Sequence, residues 1–223
     1  MGSRRWITLR RFDDRMRERA SVETLCGADE VGRGPLAGPL VAAAVCLPRG
    51  AVLRGLDDSK ALTAEAREDL DVRIRGAALT VGWAVISPRA VDRLNTHRAS
   101  LTAMRRALHR LSRRAAVERV LVDGIHPLMD LPWPQETVVD GDARSLAIAA
   151  ASVIAKCLRD RFMRRLALDY PLYGFERHKG YGTREHLEAL IAHGPCPWHR
   201  YSFGPVMQPD LFSAVPEEEL VEV

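Results

Sequence analysis

The stretch Gly27-Ala-Asp-Glu-Val-Gly-Arg-Gly-Pro-Leu-Ala-Gly-Pro39 decides how the rest of the sequence is interpreted. At its start, the apolar run from Leu25 to Ala28 predicts a short strand that ends at the acidic pair Asp29-Glu30. The glycines and prolines from Gly32 onward predict a turn-rich connection. The apolar run from Leu40 to Leu47 then predicts a second strand, at a buried position in a sheet.

Outside this stretch, predicted strands and helices alternate along the chain. The pattern predicts further strands at 79–86, 120–122 and 137–139, and helices that begin at Thr63 and cover 101–115, 145–168 and 185–192. This order, without an internal repeat, predicts a mixed α/β sheet with helices packed on it and a helical C-terminal part. Residues 1–20 contain seven arginines and three acids, which fit either a basic arm or a first helix.

Length and composition limit the class of protein. A chain of 223 residues, 47% of them hydrophobic, can form one α/β domain with a small appendage, which we place at 21–209. We expect residues 210–223 to be a loose acidic tail. No apolar run of 18 residues and no signal-peptide pattern occurs, so we expect neither a membrane span nor export. The four cysteines lack CxxC pairs and zinc-finger spacing, which favours reduced thiols in the cytoplasm.

The basic residues have an unusual composition. The net charge of +4 is compatible with a polyanionic partner such as nucleic acid. Lys60, Lys156 and Lys179 are the only lysines among 33 basic residues, which leaves 30 arginines. Where arginine is so common, a retained lysine suggests a place that needs a compact ammonium group rather than a planar guanidinium. Chance survival of three lysines is the alternative explanation.

Acidic residues come at or just past the ends of three predicted strands. They are Asp29 and Glu30, then Asp123, then Asp142. Because strand ends in α/β sheets meet at one edge, we expect these side chains to converge. Buried carboxylates need a neutralising cation, and Mg²⁺ prefers carboxylate oxygens and water. Four such groups would suit two metal ions acting on a phosphodiester. The alternative is that they serve separately as helix caps and turn residues.

A glycine-rich turn after a strand also raises the possibility of a dinucleotide-binding site. The stretch fits that site badly, because Pro35 stands where a phosphate-binding helix should begin with free amide groups. The spacing of Gly32 and Gly34 also departs from GxGxxG. We therefore favour a turn whose glycines let the backbone approach a ligand closely.

The stretch from Gly27 to Pro39 resembles the signature of ribonuclease HII. The resemblance spans residues 24–206 and all three lysines lie inside its motifs. Its other motifs are Asp58-Ser-Lys60, Leu121-Val-Asp-Gly124, Gly141-Asp142, Ala149-Ala-Ala-Ser-Val-Ile-Ala-Lys156, His178-Lys-Gly-Tyr-Gly182 and His199-Arg-Tyr-Ser-Phe203.

The resemblance implies an α/β, ribonuclease H-like fold with a mixed sheet, flanking helices and a helical C-terminal extension. It implies an endonuclease that cuts the RNA strand of RNA/DNA hybrids, and we expect this enzyme to be a cytoplasmic monomer. It also implies cleavage at ribonucleotides embedded in duplex DNA, a step of DNA repair. Hydrolysis would use Mg²⁺ or Mn²⁺, two ions when substrate is bound, and would leave 3′-hydroxyl and 5′-phosphate ends.

The resemblance also assigns roles to residues. Asp29, Glu30, Asp123 and Asp142 match the family's catalytic, metal-binding acids. Gly32, Arg33 and Gly34 match the segment that senses the 2′-hydroxyl, and Tyr181 matches a tyrosine that packs on the sugar beside the cut. Lys60, Ser152 and Lys179 are further expected substrate-binding residues. The chemistry is coherent, because a 2′-hydroxyl is the feature that separates RNA from DNA at one nucleotide.

One position departs from the family pattern. Asp140 stands where the family commonly has a lysine before the Gly-Asp pair, which adds negative charge near the expected metal site. Two alternatives remain. A ribonuclease HIII-like enzyme would cut hybrids but act poorly on one embedded ribonucleotide, and we expect the 28 residues before Asp29 to leave no room for its extra N-terminal domain. A non-catalytic nucleic-acid-binding module is the second alternative, against which the complete set of acids argues.

Overall fold

The protein forms a five-stranded sheet and eight α-helices among the residues described by the structure, a computed structural model covering 5–56, 62–208 and 211. In chain order the elements are α1 (Arg5–Ala20), β1 (Leu25–Val31), β2 (Leu40–Leu47), α2 (Ala64–Ala77), β3 (Thr80–Ile86), α3 (Pro88–Leu94), α4 (Thr96–Leu111), β4 (Arg119–Asp123), β5 (Gln135–Val138), α5 (Leu146–Asp169), α6 (Phe175–His178), α7 (Arg184–His193) and α8 (Gly204–Met207). Short 3₁₀ helices lie at Gly141–Ala143 and Pro171–Tyr173.

The sheet is mixed, as predicted. Its strand order is β3-β2-β1-β4-β5, with β1 antiparallel to β2 and parallel to β4, and with β4 parallel to β5. All eight residues of β2 are buried, which explains its uninterrupted apolar sequence. The central strand β1 and its neighbour β4 therefore run side by side in the same direction and end at the same edge.

Helix α5 packs directly on the start of β1. A Cβ at Gly27 would lie 2.2 Å from the backbone carbon of Ala147, so only glycine permits this approach. Residues 146–155 of α5, the first ten of the helix, are all buried. Ser145 precedes the helix and its hydroxyl accepts a hydrogen bond from the Ile148 amide at 3.2 Å.

The N-terminal segment is a helix rather than a basic arm. Phe12 and Met16 of α1 pack with the core residues Leu25, Leu121 and Ile148. Asp13 and Arg17 are buried as well. The Arg17 side chain donates to the carbonyl oxygens of Leu47 at 2.9 Å and Glu23 at 3.2 Å. Because α1 is rich in arginine, the sequence did not reveal the side of this helix that packs on the core.

Some predicted boundaries were wrong. Helix α4 begins at Thr96 and ends at Leu111, so Ala115 lies beyond it. Strand β5 ends at Val138 rather than 139, and the chain then turns through Asp140. The short helices α3, α6 and α8 were missed because each has seven residues or fewer, too few to produce a clear apolar period.

By contact density the chain falls into two compact units. The first comprises Met1–Val31, Val41–Ala84 and Leu101–Cys157. The second comprises Gly32–Leu40, Val85–Ser100 and Leu158–Val223. The second unit has its own core cluster, which includes Met163, Phe175 and Leu187. In the described parts of the chain, no helix has the length and apolar character needed to cross a membrane.

Candidate active site

Asp29 and Asp123 occupy matching positions on neighbouring strands of the first unit. The parallel register of β1 and β4 pairs Gly27 with Leu121 and Ala28 with Val122. One further step along both strands reaches Asp29 and Asp123. The parallel register therefore places Asp29 and Asp123 next to each other at the same end of β1 and β4.

Asp29 is almost fully buried, with 5% of its surface exposed. Burial, followed by the negative charges of Glu30 and Asp123, raises the pKa of Asp29 well above its usual range. Hydrogen bonds from the Ser152 hydroxyl and the Glu30 amide, the latter at 2.7 Å, act in the opposite direction. Ser152, on α5, thus contacts a predicted metal ligand directly.

Asp123 accepts a hydrogen bond from the segment that contains Asp142. The Gly141 amide donates to Oδ1 of Asp123 at 2.7 Å, and a Cβ on Gly141 would come within 2.9 Å of the same oxygen. Burial raises the pKa of Asp123, and the charges of Asp142 and then Asp140 raise it further. The backbone bond from Gly141 opposes these effects. The acids of β1, β4 and the 141–143 segment therefore interact electrostatically.

Asp140 and Asp142 differ in backbone conformation. Asp140 has φ 52° and ψ 45°, in the left-handed region, and its side chain is exposed. Asp142 lies in the 3₁₀ helix Gly141–Ala143 and is half-buried. The turn at Asp140 separates them, and the exposed position explains why an acid is tolerated there.

The donor chemistry of this edge suits a hard divalent cation. Its charged groups are carboxylates, and their mutual repulsion is relieved by a bound cation. Among the described residues, however, no three His, Cys, Asp or Glu side chains form a preformed ligand group. The side chains therefore fit such an ion by charge and donor type.

A second predicted group lies in the second unit, in the turn that follows β1. Arg200 is fully buried, and its guanidinium donates to the carbonyl oxygens of Gly32 at 2.5 Å, Arg33 at 2.7 Å and Gly38 at 3.1 Å. Burial lowers the pKa of Arg200 to about 9. Gly32 has φ +90°, and a Cβ there would meet the side chain of Arg159 at 2.4 Å. The side chains of Arg200 and Arg159 therefore both pack closely against this turn.

Arg159 joins this turn to the loop that carries Tyr181. Its side chain donates to the carbonyl oxygens of Pro39 at 3.0 Å, Ala37 at 3.1 Å and Lys179 at 3.0 Å. Its guanidinium carbon lies 5.9 Å from the centre of the Tyr181 ring. The nearest described atom to a Cβ on Gly34 would be Cε1 of Tyr181, at 4.0 Å. The structure thus brings together the predicted sugar-sensing turn and the predicted sugar-packing tyrosine.

Three buried or half-buried histidines, His178, His186 and His199, form hydrogen bonds to the segment that contains Tyr181 or to one another. His186 Nδ1 lies 2.8 Å from the Tyr181 carbonyl oxygen, and His186 Nε2 lies 2.9 Å from Nε2 of His199. The Cys196 amide donates to His199 Nδ1 at 2.9 Å. The Gly180 amide donates to His178 Nδ1 at 3.1 Å. These partners are satisfied together only when all three rings are neutral.

The remaining predicted residues have varied placements. Lys60, with the motif 58–60, lies outside the described residues. Lys179 has φ 52° at the end of α6, and its ammonium donates to the Glu176 carbonyl oxygen. Sequence reasoning did not single out Arg159, His186, His199 or Arg200. The signal for the last two was available, because His199-Arg200 opens a motif that carries the resemblance.

Comparison with known proteins gives a consistent result. A family model described as Ribonuclease HII matches residues 26–206. Ribonuclease HII of Geobacillus kaustophilus is 48% identical over 204 residues, which cover 92% of this chain and 76% of that protein. Ribonuclease HII of Syntrophotalea carbinolica is 51% identical over 192 residues, which cover 86% and 90%.

Solved structures share the fold. Ribonuclease H2 from Pyrococcus horikoshii has a TM-score of 0.70 at 23% identity, covering 86% of this chain and all of that one. Bst-RNase HIII in complex with Mn²⁺ has a TM-score of 0.69 at 21% identity, covering 87% and 71%. The ribonuclease HII in a PCNA complex from Archaeoglobus fulgidus has a TM-score of 0.64 at 26% identity, covering 79% and 92%. The ribonuclease H-like expectation is confirmed, and from its sequence matches the chain belongs to the ribonuclease HII family.

Proposed function

We propose that this chain, a metal-dependent endoribonuclease by its family, hydrolyses the RNA strand of RNA/DNA hybrids and cuts at single ribonucleotides embedded in duplex DNA. The observation that carries the proposal is the parallel register that brings Asp29 and Asp123 level on β1 and β4. Their raised pKa values reflect carboxylates that a cation would neutralise.

The carboxylates of Asp29, Glu30, Asp123 and Asp142 would hold Mg²⁺ or Mn²⁺, with two ions present when substrate is bound. Such ions activate a water molecule and stabilise the leaving oxygen in phosphodiester hydrolysis. Ser152 orients the Asp29 carboxylate, and the Gly141 amide orients that of Asp123. The exposed Asp140 adds negative charge without lying in the 141–143 helix, and we assign it no ligand role.

Recognition of ribose is proposed for the Gly32-Arg33-Gly34 turn and Tyr181. The position of the tyrosine ring, 4.0 Å from where a Cβ on Gly34 would lie, supports this pairing, because a sugar requires both hydrogen-bond donors and a flat apolar surface. Only the 2′-hydroxyl distinguishes a ribonucleotide from its DNA neighbours. Lys60 and Lys179 are proposed to contact the nucleic-acid backbone. The four cysteines are buried and none of them forms a disulfide, which supports action in a reducing cytoplasm. We also propose that the protein acts as a monomer.

A ribonuclease HIII-like activity is the second candidate, because a ribonuclease HIII shares the fold at a TM-score of 0.69. The decisive substrate is a DNA duplex that contains one ribonucleotide. We expect cutting at the ribonucleotide to require Mg²⁺ or Mn²⁺ and to leave a 3′-hydroxyl and a 5′-phosphate. Cleavage of a continuous hybrid without cleavage of this duplex would favour the HIII-like activity. No cleavage of either with metal present would contradict both.

A further inference from the structure

Arg200 is a buried cation whose partners are backbone carbonyl groups. Its guanidinium binds the carbonyl oxygens of Gly32, Arg33 and Gly38, and its own amide donates to the Leu36 carbonyl oxygen at 2.8 Å. Among the described residues it has no ion-pair partner within 4.0 Å. The acid that most affects it is Asp92, which accepts hydrogen bonds from the Tyr201 and Ser202 amides. A buried charge is costly, so its retention calls for a specific role.

The geometry of the peptide bond shows what these contacts achieve. In a trans peptide the carbonyl oxygen and the next residue's amide hydrogen point in opposite directions. Because the Gly32 and Arg33 carbonyls both point at Arg200, the amides of Arg33 and Gly34 point away from it. Two successive amides that face one way form a site for an oxygen acceptor or an anion. The Gly34 amide has no hydrogen-bond acceptor among the described residues.

The surroundings of Gly34 leave room for a ligand at this amide. Gly34 is exposed, and its nearest described neighbour in the Cβ direction is the Tyr181 ring, at 4.0 Å. The carbonyls of the turn, by contrast, lie in the interior and are occupied by Arg200. The turn therefore has one side fixed by the guanidinium and one side available to a sugar.

We infer that Arg200 is a positioning residue for ribose recognition: it turns the Gly32 and Arg33 carbonyls inward and so presents the Gly34 amide to the 2′-hydroxyl of the substrate. The inference rests on the proposed function. It assigns the arginine no contact with substrate. It requires a planar group with several donors, because one ammonium cannot bind three carbonyls at their separate positions.

The test compares variants by their preference for a ribonucleotide. In an Asp123→Asn background, the dissociation constants are measured for a duplex with one ribonucleotide and for an all-DNA duplex of the same sequence. We expect Arg200→Lys to bring the two constants close together while changing the all-DNA value by less than about threefold. In the active background, we expect the cleavage rate at the ribonucleotide to fall by about 100-fold, the scale of a misplaced contact.

Arg17→Lys is the matched control. Arg17 is also buried and also donates to backbone carbonyls, but it belongs to α1 in the first unit. We expect it to lower thermal stability without changing the ribonucleotide preference. Arg200→Ala with millimolar guanidinium added is a further measurement, in which partial recovery of the preference at constant melting temperature supports the inference.

A second pair of variants leaves Arg200 intact. Gly34→Pro removes the proposed amide donor, and Gly34→Ala keeps it while adding a similar bulk at Cβ. We expect the proline variant to lose the preference and the alanine variant to retain more of it. Equal preference in wild type, Arg200→Lys and Gly34→Pro would overturn the inference alone. A wild-type protein with no preference for the ribonucleotide would overturn the proposed function and the inference together.

Discussion

The cost of burying Asp29 beside two other carboxylates is the clearest physical feature at the scale of single residues. Its pKa is raised by burial and by the charges of Glu30 and Asp123, so the protein without metal holds a proton or suffers repulsion there. An arrangement of this kind is unfavourable for stability by itself and is typical of sites that bind a cation.

Asp123→Asn should keep the fold and duplex binding but lose most of the cleavage activity, since an amide oxygen lacks the charge that binds a divalent ion. The asparagine oxygen can still accept the Gly141 amide bond, which preserves the loop. Single-turnover cleavage and duplex affinity measure the two effects separately. Near-normal turnover in saturating Mg²⁺ would contradict the assignment of Asp123 as a ligand.

Asp140 and Asp142 should respond differently to substitution. Asp142→Asn should abolish most activity, because Asp142 lies in the 3₁₀ helix before α5 and interacts electrostatically with Asp123. Asp140→Lys, which gives the residue common in the family, should keep activity and change the metal concentration at half-maximal rate. Titration of both variants with Mg²⁺ tests this. An inactive Asp140→Asn together with an active Asp142→Asn would reverse the assignment.

Tyr181→Ala should reduce cleavage at a lone ribonucleotide more than it reduces general duplex affinity. The ring borders Gly34 and lies over the Arg159 guanidinium, which fits a surface for a sugar. Tyr181→Phe keeps the ring and separates the effect of the hydroxyl. Equal losses in cleavage and all-DNA binding for the alanine variant would mark Tyr181 as a structural residue.

At the scale of elements, helix α1 stabilises helix α5, which follows Asp142 in the chain. Oδ2 of Asp13 accepts a hydrogen bond from the Ala147 amide at 2.9 Å, in the first turn of α5. The side chain thus caps α5 from another helix, in the manner of an N-cap. Burial raises the pKa of Asp13 to about 6, with bonds from Ser145 and Ala147 opposing the shift. The segment Gly141–Ala143 directly precedes this cap.

Asp13→Ala should lower the free energy of unfolding by about 1 to 3 kcal/mol, because it leaves the Ala147 amide without its acceptor. Asp13→Asn keeps an acceptor oxygen and should cost less. Urea denaturation at pH 7.5 measures both. Activity per folded molecule should fall with Asp13→Ala if the cap also steadies Asp142. Unchanged stability in Asp13→Ala would show that α1 does not support α5.

Elements with a strong periodic signal were predictable, and those formed by tertiary contacts were not. Strand β2 was predicted at its observed bounds, since all of its residues are apolar and buried. Helix α1 was not distinguished from an arm, because its packing depends on the burial of Asp13 and Arg17, residues that usually lie at the surface. The turn at Asp140 was missed because no sequence pattern indicates that an aspartate will adopt a left-handed backbone conformation.

At the scale of the whole molecule, the sequence predicts which acids form the candidate site but does not predict the residues that hold the second unit together. The motif residues Gly32, Gly34 and Tyr181 were assigned through family resemblance, and the structure then supplied Arg159 and Arg200 as the groups that hold them. The sequence alone does not show whether an arginine is buried against backbone carbonyl groups or exposed to solvent. In a chain with 30 arginines, this role could not be recognised without coordinates.

The histidine chain His178–His186–His199 gives the molecule a predictable sensitivity to acid. Burial lowers the pKa of His186 to about 3 and that of His199 to about 4, from an ordinary value of 6.5. The unfolded chain therefore binds these protons first, so the stability that the neutral rings contribute is present above pH 6.5. It is lost progressively as the pH falls from 6.5 to the folded pKa of each ring, about 4 for His199 and about 3 for His186. We expect a loss at pH 5 of about 2 kcal/mol for each ring.

This loss can be isolated with His186→Asn, whose amide can still donate to the Tyr181 carbonyl but cannot titrate. The comparison is needed because the buried carboxylates Asp13 and Asp29 have raised pKa values and change stability in the opposite direction over the same range. We expect His186→Asn to be less stable than wild type at pH 7.5, and the gap to narrow by about 2 kcal/mol at pH 5. Urea denaturation at the two pH values measures the gap, and His126→Asn, at an exposed position, controls for the substitution itself. A gap that stays constant would mean that His186 is not held neutral, and the hydrogen-bond chain beneath Tyr181 would then need a different assignment of protons.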